Sequence, residues 1–88
     1  YMPRLAPDGE ELALIMLKDL WVRQGDGNLL QLTHDPFIEM SPSWSPDQNK
    51  IAYLSDRSGG FGIYIYDLEK GTSEFLVKVE ELLLKFID

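Results

Sequence analysis

The segment Pro3-Arg4-Leu5-Ala6-Pro7-Asp8-Gly9 returns, 39 positions on, as Pro42-Ser43-Trp44-Ser45-Pro46-Asp47-Gln48. The same offset sets Leu12-Ala13-Leu14 against Ile51-Ala52-Tyr53. It widens to 43 for Leu20-Trp21-Val22 against Ile63-Tyr64-Ile65, and to 44 for Gly27 against Gly71 and Leu32-Thr33 against Leu76-Val77. The added residues fall around Asp56-Arg57-Ser58-Gly59-Gly60, which is turn composition. A period of about 40 residues restricts a chain to helical repeats or propeller blades, whose units bury their apolar faces against one another.

Local patterns favour strands. Each copy holds short runs rich in β-branched, aromatic or aliphatic residues, too closely punctuated by Pro, Asp, Asn and Gly for helices of about ten residues or more. The strands expected are Met2–Ala6, Glu11–Leu17, Leu20–Gln24 and Leu29–Thr33, then Met40–Ser45, Lys50–Ser55, Ile63–Asp67 and Ser73–Val77. Runs such as Leu12 to Leu17 and Ile63 to Tyr66 are apolar on both faces, as in blades sandwiched between neighbours. The fold class expected is all-β: two consecutive four-stranded antiparallel β-propeller blades, a partial propeller. Residues 1–37 form the first blade, 38–78 the second, and 79–88 a helical tail. In the tail Val79, Leu82, Leu83, Phe86 and Ile87 make an amphipathic stripe, with Glu80, Glu81 and Lys85 opposite.

The turn Pro7-Asp8-Gly9 combines a preset φ, a side chain that bonds nearby amides and a residue that accepts positive φ. The second copy has Pro46-Asp47-Gln48-Asn49, and Asn49 is expected to take the left-handed position.

Composition removes several functions. Eight Lys and Arg against fifteen Asp and Glu give a net charge of -7, which repels phosphate backbones and anionic headgroups, so no nucleic-acid partner is expected. The chain has no Cys, which excludes thiol catalysis and Cys-based zinc sites. No run reaches the roughly 18 to 20 apolar residues of a membrane span, so no membrane insertion is expected. The start, Tyr1-Met2-Pro3-Arg4, lacks a signal-peptide pattern and falls mid-repeat, which reads as a segment of a longer chain and leaves export of the parent open.

Taken together, Ser41-Pro42-Ser43-Trp44-Ser45-Pro46-Asp47, Lys50-Ile51-Ala52-Tyr53-Leu54-Ser55-Asp56-Arg57, Gly62-Ile63-Tyr64-Ile65-Tyr66-Asp67-Leu68 and Leu32-Thr33-His34-Asp35-Pro36 resemble the TolB-like, WD-like propeller repeat over residues 2 to 78. Pro7, Asp8, Gly9, Trp44, Ser45, Pro46 and Asp47 carry its structural motif. The first copy departs from it, with Leu5-Ala6 in place of an aromatic and Ser and without a Ser-Asp-Arg turn. The resemblance implies four-stranded blades in rings of six or seven, in proteins that scaffold envelope complexes or precede a peptidase or signalling domain. It also implies the periplasm or cell envelope, which composition leaves open.

Candidate chemistry is thin. His34 invites a hydrolytic triad, but there is no Gly-x-Ser-x-Gly elbow, and Thr33-His34-Asp35-Pro36 reads as the exit from one blade to the next. Asp56 and Arg57 with Asp67 suggest a cation or recognition turn, yet two carboxylates without the spaced series of a calcium loop favour turn capping and ion pairing. Glu10-Glu11 and Glu80-Glu81 read as solvated surface. Trp21 and Trp44 are expected to pack between blades, and Gly59-Gly60-Phe61-Gly62 to form a flexible turn. The sequence therefore predicts no catalytic, metal or cofactor site, with His34, Asp56 and Arg57 as candidate partner contacts.

The function expected is a non-catalytic scaffold that binds protein. Alternatives are the propeller of a prolyl-oligopeptidase-type serine peptidase whose catalytic domain lies elsewhere, or a sensor fused to a kinase or DNA-binding domain. Two blades leave two apolar sheet faces open. Further blades in cis, the favoured case, or self-association, such as three chains giving about six blades, would cover them.

Overall fold

The computed structural model describes residues 3–87, with side chains through 84; Met2, the start of the first expected strand, lies outside the described residues. The strands are β1 (Arg4–Leu5), β2 (Leu12–Met16), β3 (Asp19–Arg23), β4 (Leu29–Gln31), β5 (Glu39–Trp44), β6 (Lys50–Ser55), β7 (Gly62–Asp67) and β8 (Thr72–Lys78). A helix, α1 (Val79–Ile87), follows. Each expected strand is present, Lys50–Ser55 with the expected bounds and the others shifted by one or two residues at an end. The two sheets are antiparallel meanders in the orders β1-β2-β3-β4 and β5-β6-β7-β8.

Alternation along a strand divides each sheet into two faces, and cross-strand partners share one. In the first sheet Ala13 pairs with Val22 and Ile15 with Leu20, and this face is closed by Ile51, Tyr53 and Tyr64 of the second. Ala13, Ile15, Leu20 and Val22 are no more than 5% exposed. Tyr53 and Tyr64 stack with centroids 6.0 Å apart, and the Tyr53 hydroxyl meets Ser73 Oγ at 2.7 Å, so the ring's polar end is satisfied inside the contact.

Polar tethers fix the angle between the sheets. Trp44 Nε1 donates to the Arg4 carbonyl at 2.8 Å. Gln48 accepts from the Asp8 amide at 3.1 Å and donates to the Asp8 and Glu11 carboxylates at 3.0 and 2.9 Å. Pro42 fits in β5 because that strand lies at its sheet's edge, next to a bulge between Met40 and Ser43.

Several expectations are corrected. The left-handed residue of the second Pro-Asp turn is Gln48, with φ 63°, not Asn49; it stands at the place of Gly9, φ 77°. The long Gln side chain makes the inter-sheet bonds that Gly cannot. Trp44 packs against the inter-blade core, but Trp21 pairs with Leu14 and Gln31 on the face turned away from the second sheet. Glu10 and Glu11 precede β2, and Glu11 is held by Gln48 instead of being freely solvated. In α1, Val79 and Leu82 are half-buried while Leu83 is 57% exposed, so the docked stripe is narrower than its sequence suggests. The side chains of Lys85, Phe86 and Ile87 lie outside the described residues.

Two substitutions test this packing. A Cβ at buried Gly62 would lie 3.1 Å from Phe75 Cε1 and 3.3 Å from both Ser58 Oγ and Tyr64 Cε1, so Gly62→Ala is expected to lower the unfolding free energy by about 1–3 kcal/mol. Trp44→Phe keeps an aromatic ring and deletes the tether to Arg4, with an expected loss of about 1 kcal/mol. Urea denaturation followed by tryptophan fluorescence and circular dichroism reads both.

Candidate functional site

The antiparallel course gathers the loops at two ends. The turns at residues 7–10, 24–28, 46–49 and 68–71 lie at one end. At the other are the β2–β3 turn at 17–18, the inter-blade crossing at 32–38, the β6–β7 turn at 56–61 and the start of α1. His34, Asp56 and Arg57 all belong to this second end, whereas Pro7, Asp8, Gly9, Ser45, Pro46 and Asp47 belong to the first. Asp67 is also at the first end, where the amides of Glu69 and Lys70 bond its carboxylate and Lys50 lies 3.8 Å away. It cannot join Asp56 in a cation site. The Lys70 amide, foremost, holds its carboxyl below the usual range. Asp8 is lowered chiefly by the Glu10 amide and Asp47 by the Ser45 hydroxyl. These three carboxylates are structural parts of their turns.

At the second end a charged knot joins the blades. Arg57 Nη2 lies 2.5 Å from Asp35 Oδ2 and 3.8 Å from Glu39 Oε1, and its Nε donates to Ser55 Oγ at 3.1 Å. The guanidinium carbon stands 5.0 Å from the centroid of the Tyr64 ring and 5.5 Å from that of Phe37, both within cation–π range. Ser55 Oγ donates to Glu39 Oε2, and the Glu39 amide bonds the Lys18 carbonyl of the first sheet at 3.0 Å. Thr33 Oγ1 accepts from the Leu20 amide at 2.9 Å, and Lys18 Nζ donates to the Asp35 carbonyl at 3.1 Å. Asp56 Oδ1 accepts from the Ile38 amide, fixing the crossing.

Glu39 is 1% exposed and its carboxyl is pushed up to about 7. Burial is the largest cause; a Thr33 hydrogen bond opposes it, nearby Asp35 adds to it, and Arg57 opposes it. Asp19, Asp35 and Glu39 each place an oxygen within 4.8 Å of the others, and Asp19 Oδ1 and Glu39 Oε1 are buried without a hydrogen-bond partner among the described residues. Three carboxylates would suit a hard cation. The cation already present is Arg57, whose guanidinium sits against Asp35 and faces Glu39.

Around this knot the surface is apolar. Leu17 is 90% exposed, Ile38 43%, Phe61 39% and Phe37 38%, with exposed His34 among them. An open groove of about 350 Å³ runs between α1 and the β6–β7 turn, floored by Gly60, Phe61 and Val79. Sequence reading found His34, Asp56 and Arg57 but missed Leu17, Phe37 and Glu39. Leu17 and Lys18 both have positive φ, 48° and 68°, in a two-residue hairpin that favours Asn-Gly, so nothing in the residue types marks the turn.

Comparison with known proteins bears on what this arrangement belongs to. No protein-family model matches the chain. A Schizosaccharomyces pombe protein named as a dipeptidyl aminopeptidase is 33% identical over an 81-residue alignment that covers 72% of this chain and 10% of that protein. The Tol-Pal system protein TolB of Xylella fastidiosa is 49% identical over 37 residues, 42% of this chain and 8% of that one. The TolB of Bordetella pertussis is 40% identical over 47 residues, 53% of this chain and 11% of that one. The chain thus spans about a tenth of the length of the curated relatives it matches. Among solved structures, TolB from Acinetobacter baumannii superposes with a TM-score of 0.73 at 25% identity, covering 85% of this chain and 20% of that one. Two meander sheets packed face to face, a 39-residue repeat carrying Pro-Asp turns, and these likenesses agree: the chain has the fold of TolB-like β-propeller blades and is similar to that repeat family.

Proposed function

We propose that this chain is a non-catalytic scaffold segment that binds protein through the loop end carrying Leu17, His34, Phe37 and Phe61. The observation that carries the reading is the concentration of exposed apolar side chains at one end of the blades, around a charged knot whose groups already serve one another. Apolar and aromatic side chains ringed by polar ones are the usual make-up of a protein-binding patch. The likeness to Tol-Pal system proteins supports it. In this reading His34 contacts the partner directly from the same end, while Asp56 and Arg57 support the contact surface through the Ile38 amide and the Phe37 ring.

A second reading has its own support in the dipeptidyl aminopeptidase relative, in which this chain would be propeller from a peptidase whose catalytic domain lies outside it. The blades themselves would still be inert. Both readings place protein or peptide at the loop end, and the parent's flanking sequence separates them, because only the second requires a Gly-x-Ser-x-Gly elbow there.

A photo-crosslinking residue at position 17, with position 26 at the opposite end as control, tests the scaffold role in cells producing the protein. Discrete protein adducts at 17 and not at 26 are expected. Equal labelling at both positions, or peptide hydrolysis by the purified protein that His34→Ala abolishes, would overturn it. Leu17→Asn relieves the positive φ and is expected to raise stability by a few tenths to about 1 kcal/mol while weakening the adducts formed by a crosslinking residue placed at position 61 instead, because the strained, exposed side chain is there to be bound.

Glu39 predicts a pH dependence. Its folded-state value of about 7 lies above the ordinary 4.5, so its contribution is fully present below about pH 4.5 and is lost as the pH rises through 7. The unfolding free energy read from urea denaturation is expected to fall between pH 5 and pH 8 by an amount on the order of 1 kcal/mol, and Glu39→Gln to flatten that fall. Asp8, Asp47 and Asp67, held low, lose their contributions only in acid below the ordinary 3.8, outside this window.

A further inference from the structure

The charged knot holds more carboxylates than it has cations to meet them, and all of its members lie in the two described blades and the crossing between them. Glu39 stands on β5 with its side chain buried and Oε1 without a hydrogen-bond partner among the described residues. Asp35 stands on the crossing with its side chain 25% exposed. Asp19, on β3, accepts from Gln31 through one oxygen and has the other buried and unpartnered. Oxygens of these three carboxylates lie within 4.8 Å of one another. The cations at hand are Arg57, from the β6–β7 turn, and Lys18, from the β2–β3 turn, whose Nζ is engaged by the Asp35 carbonyl. Of the other titratable groups around them, Asp56 is turned to the Ile38 amide, Tyr53 on β6 to Ser73, Tyr64 on β7 lies against the guanidinium, and His34 is exposed. One nitrogen is thus divided between two acids: Arg57 Nη2 lies 2.5 Å from Asp35 and 3.8 Å from Glu39. Asp35 in turn accepts from the Phe37 amide at 3.1 Å, and the guanidinium faces the Phe37 ring, so the hold on Phe37 depends on Arg57 serving Asp35.

We propose that the knot is a proton-operated latch on the inter-blade crossing: with Glu39 protonated, Arg57 holds Asp35 and Phe37 in place, and with Glu39 ionised, Arg57 closes on Glu39 and the crossing moves outward. Neutral Glu39 shares its proton with the Asp35 carboxylate, so Asp35 is bonded from two sides. When that proton passes to water, three carboxylates face one guanidinium, and like charges this close disfavour one another. Glu39 has no room to yield, because its amide is bonded to the Lys18 carbonyl and β5 pairs it with Ser55. Asp35 yields instead, since it lies on a half-exposed loop, the kind of segment that opens locally at least cost. Burial foremost raises the Glu39 carboxyl to about 7, which sets the change near neutral pH, with the latch closed below and open above. Only the consequence for binding rests on the scaffold reading: partner contact through Phe37 weakens above neutral pH. The latch itself belongs to the partner-free protein.

Nuclear magnetic resonance of the partner-free protein between pH 5 and pH 8 tests it. The Glu39 carboxyl carbon is expected to titrate with a midpoint of about 7, and the Phe37 amide to shift with the same midpoint. Proximity signals between Arg57 and the Phe37 ring are expected at pH 5 and lost at pH 8. Glu39→Gln, neutral and of the same shape, is expected to keep those signals at both pH values. Asp35→Asn removes the neighbouring charge and is expected to lower the Glu39 midpoint. A Glu39 that titrates while the Arg57 to Phe37 signals stay unchanged, a loss of those signals that persists in Glu39→Gln, or a midpoint indifferent to Asp35→Asn would overturn the latch. Crosslinking at position 17 bears on the scaffold reading alone, so the two can fail separately.

Discussion

A sheet that is apolar on both faces cannot stand in water by itself, and everything else in this molecule follows from that. Ala13 and Ile15 point to one side of β2 while Leu12 and Leu14 point to the other, so no single partner layer can bury the strand. Packing a second copy of the same sheet against the first solves half the problem and recreates it one blade further on. The four residues closed over by Ile51, Tyr53 and Tyr64 are the best-buried apolar group in the chain, and the charged knot and the turn geometry serve to hold that contact in place.

The knot is placed where apolar packing has least leverage, at the end of the sheets where the chain crosses from one to the other. Burying Glu39 beside the half-buried Asp35 is unfavourable, and the cost shows in the raised Glu39 carboxyl. Arg57 makes it tolerable by meeting Asp35 directly and by lying between two aromatic rings that shield it from water. Removing one member of such a group leaves a buried charge uncompensated, which costs about 3–5 kcal/mol, although the intact group adds little net stability. Its value is specificity: bonds from Glu39 and Thr33 to the first sheet, and from Arg57 to Asp35 in the crossing, allow one approach angle between blades.

How much of this could be read from residues alone depends on whether the information was local. The strands and their order were legible because the alternation and the Pro-Asp turns repeat, and the shift of a strand end by a residue or two, as at Glu11 and Ser73, does not change a face. The position of Trp21 was not legible, since a Trp in a strand fits either face and only the choice of which face meets the next blade decides. Glu39 was equally hidden: in sequence it is a carboxylate before a strand, and only the turn bearing Arg57, brought over by the β6–β7 hairpin, makes it a buried one. Leu17 and Lys18 form a hairpin with residues that disfavour its dihedrals, so register, fixed by Met16 against Asp19, overrides local preference there.

The differences between the two copies are as informative as their likeness. Where the second blade meets the first, it carries Trp44 and Gln48, whose side chains reach across to Arg4, Asp8 and Glu11. The first blade has Leu5 and Gly9 at those places, which make no such bonds among the described residues. Gln48 accepts a backbone conformation that glycine adopts without strain, which is sensible only if the bonds made by its side chain outweigh about 1 kcal/mol of left-handed strain. The second blade is thus built to hold a neighbour on its inner face, and the first to be held on its outer one. That asymmetry gives the pair a direction, and a pair with a direction can be extended from either end by a unit of the same kind.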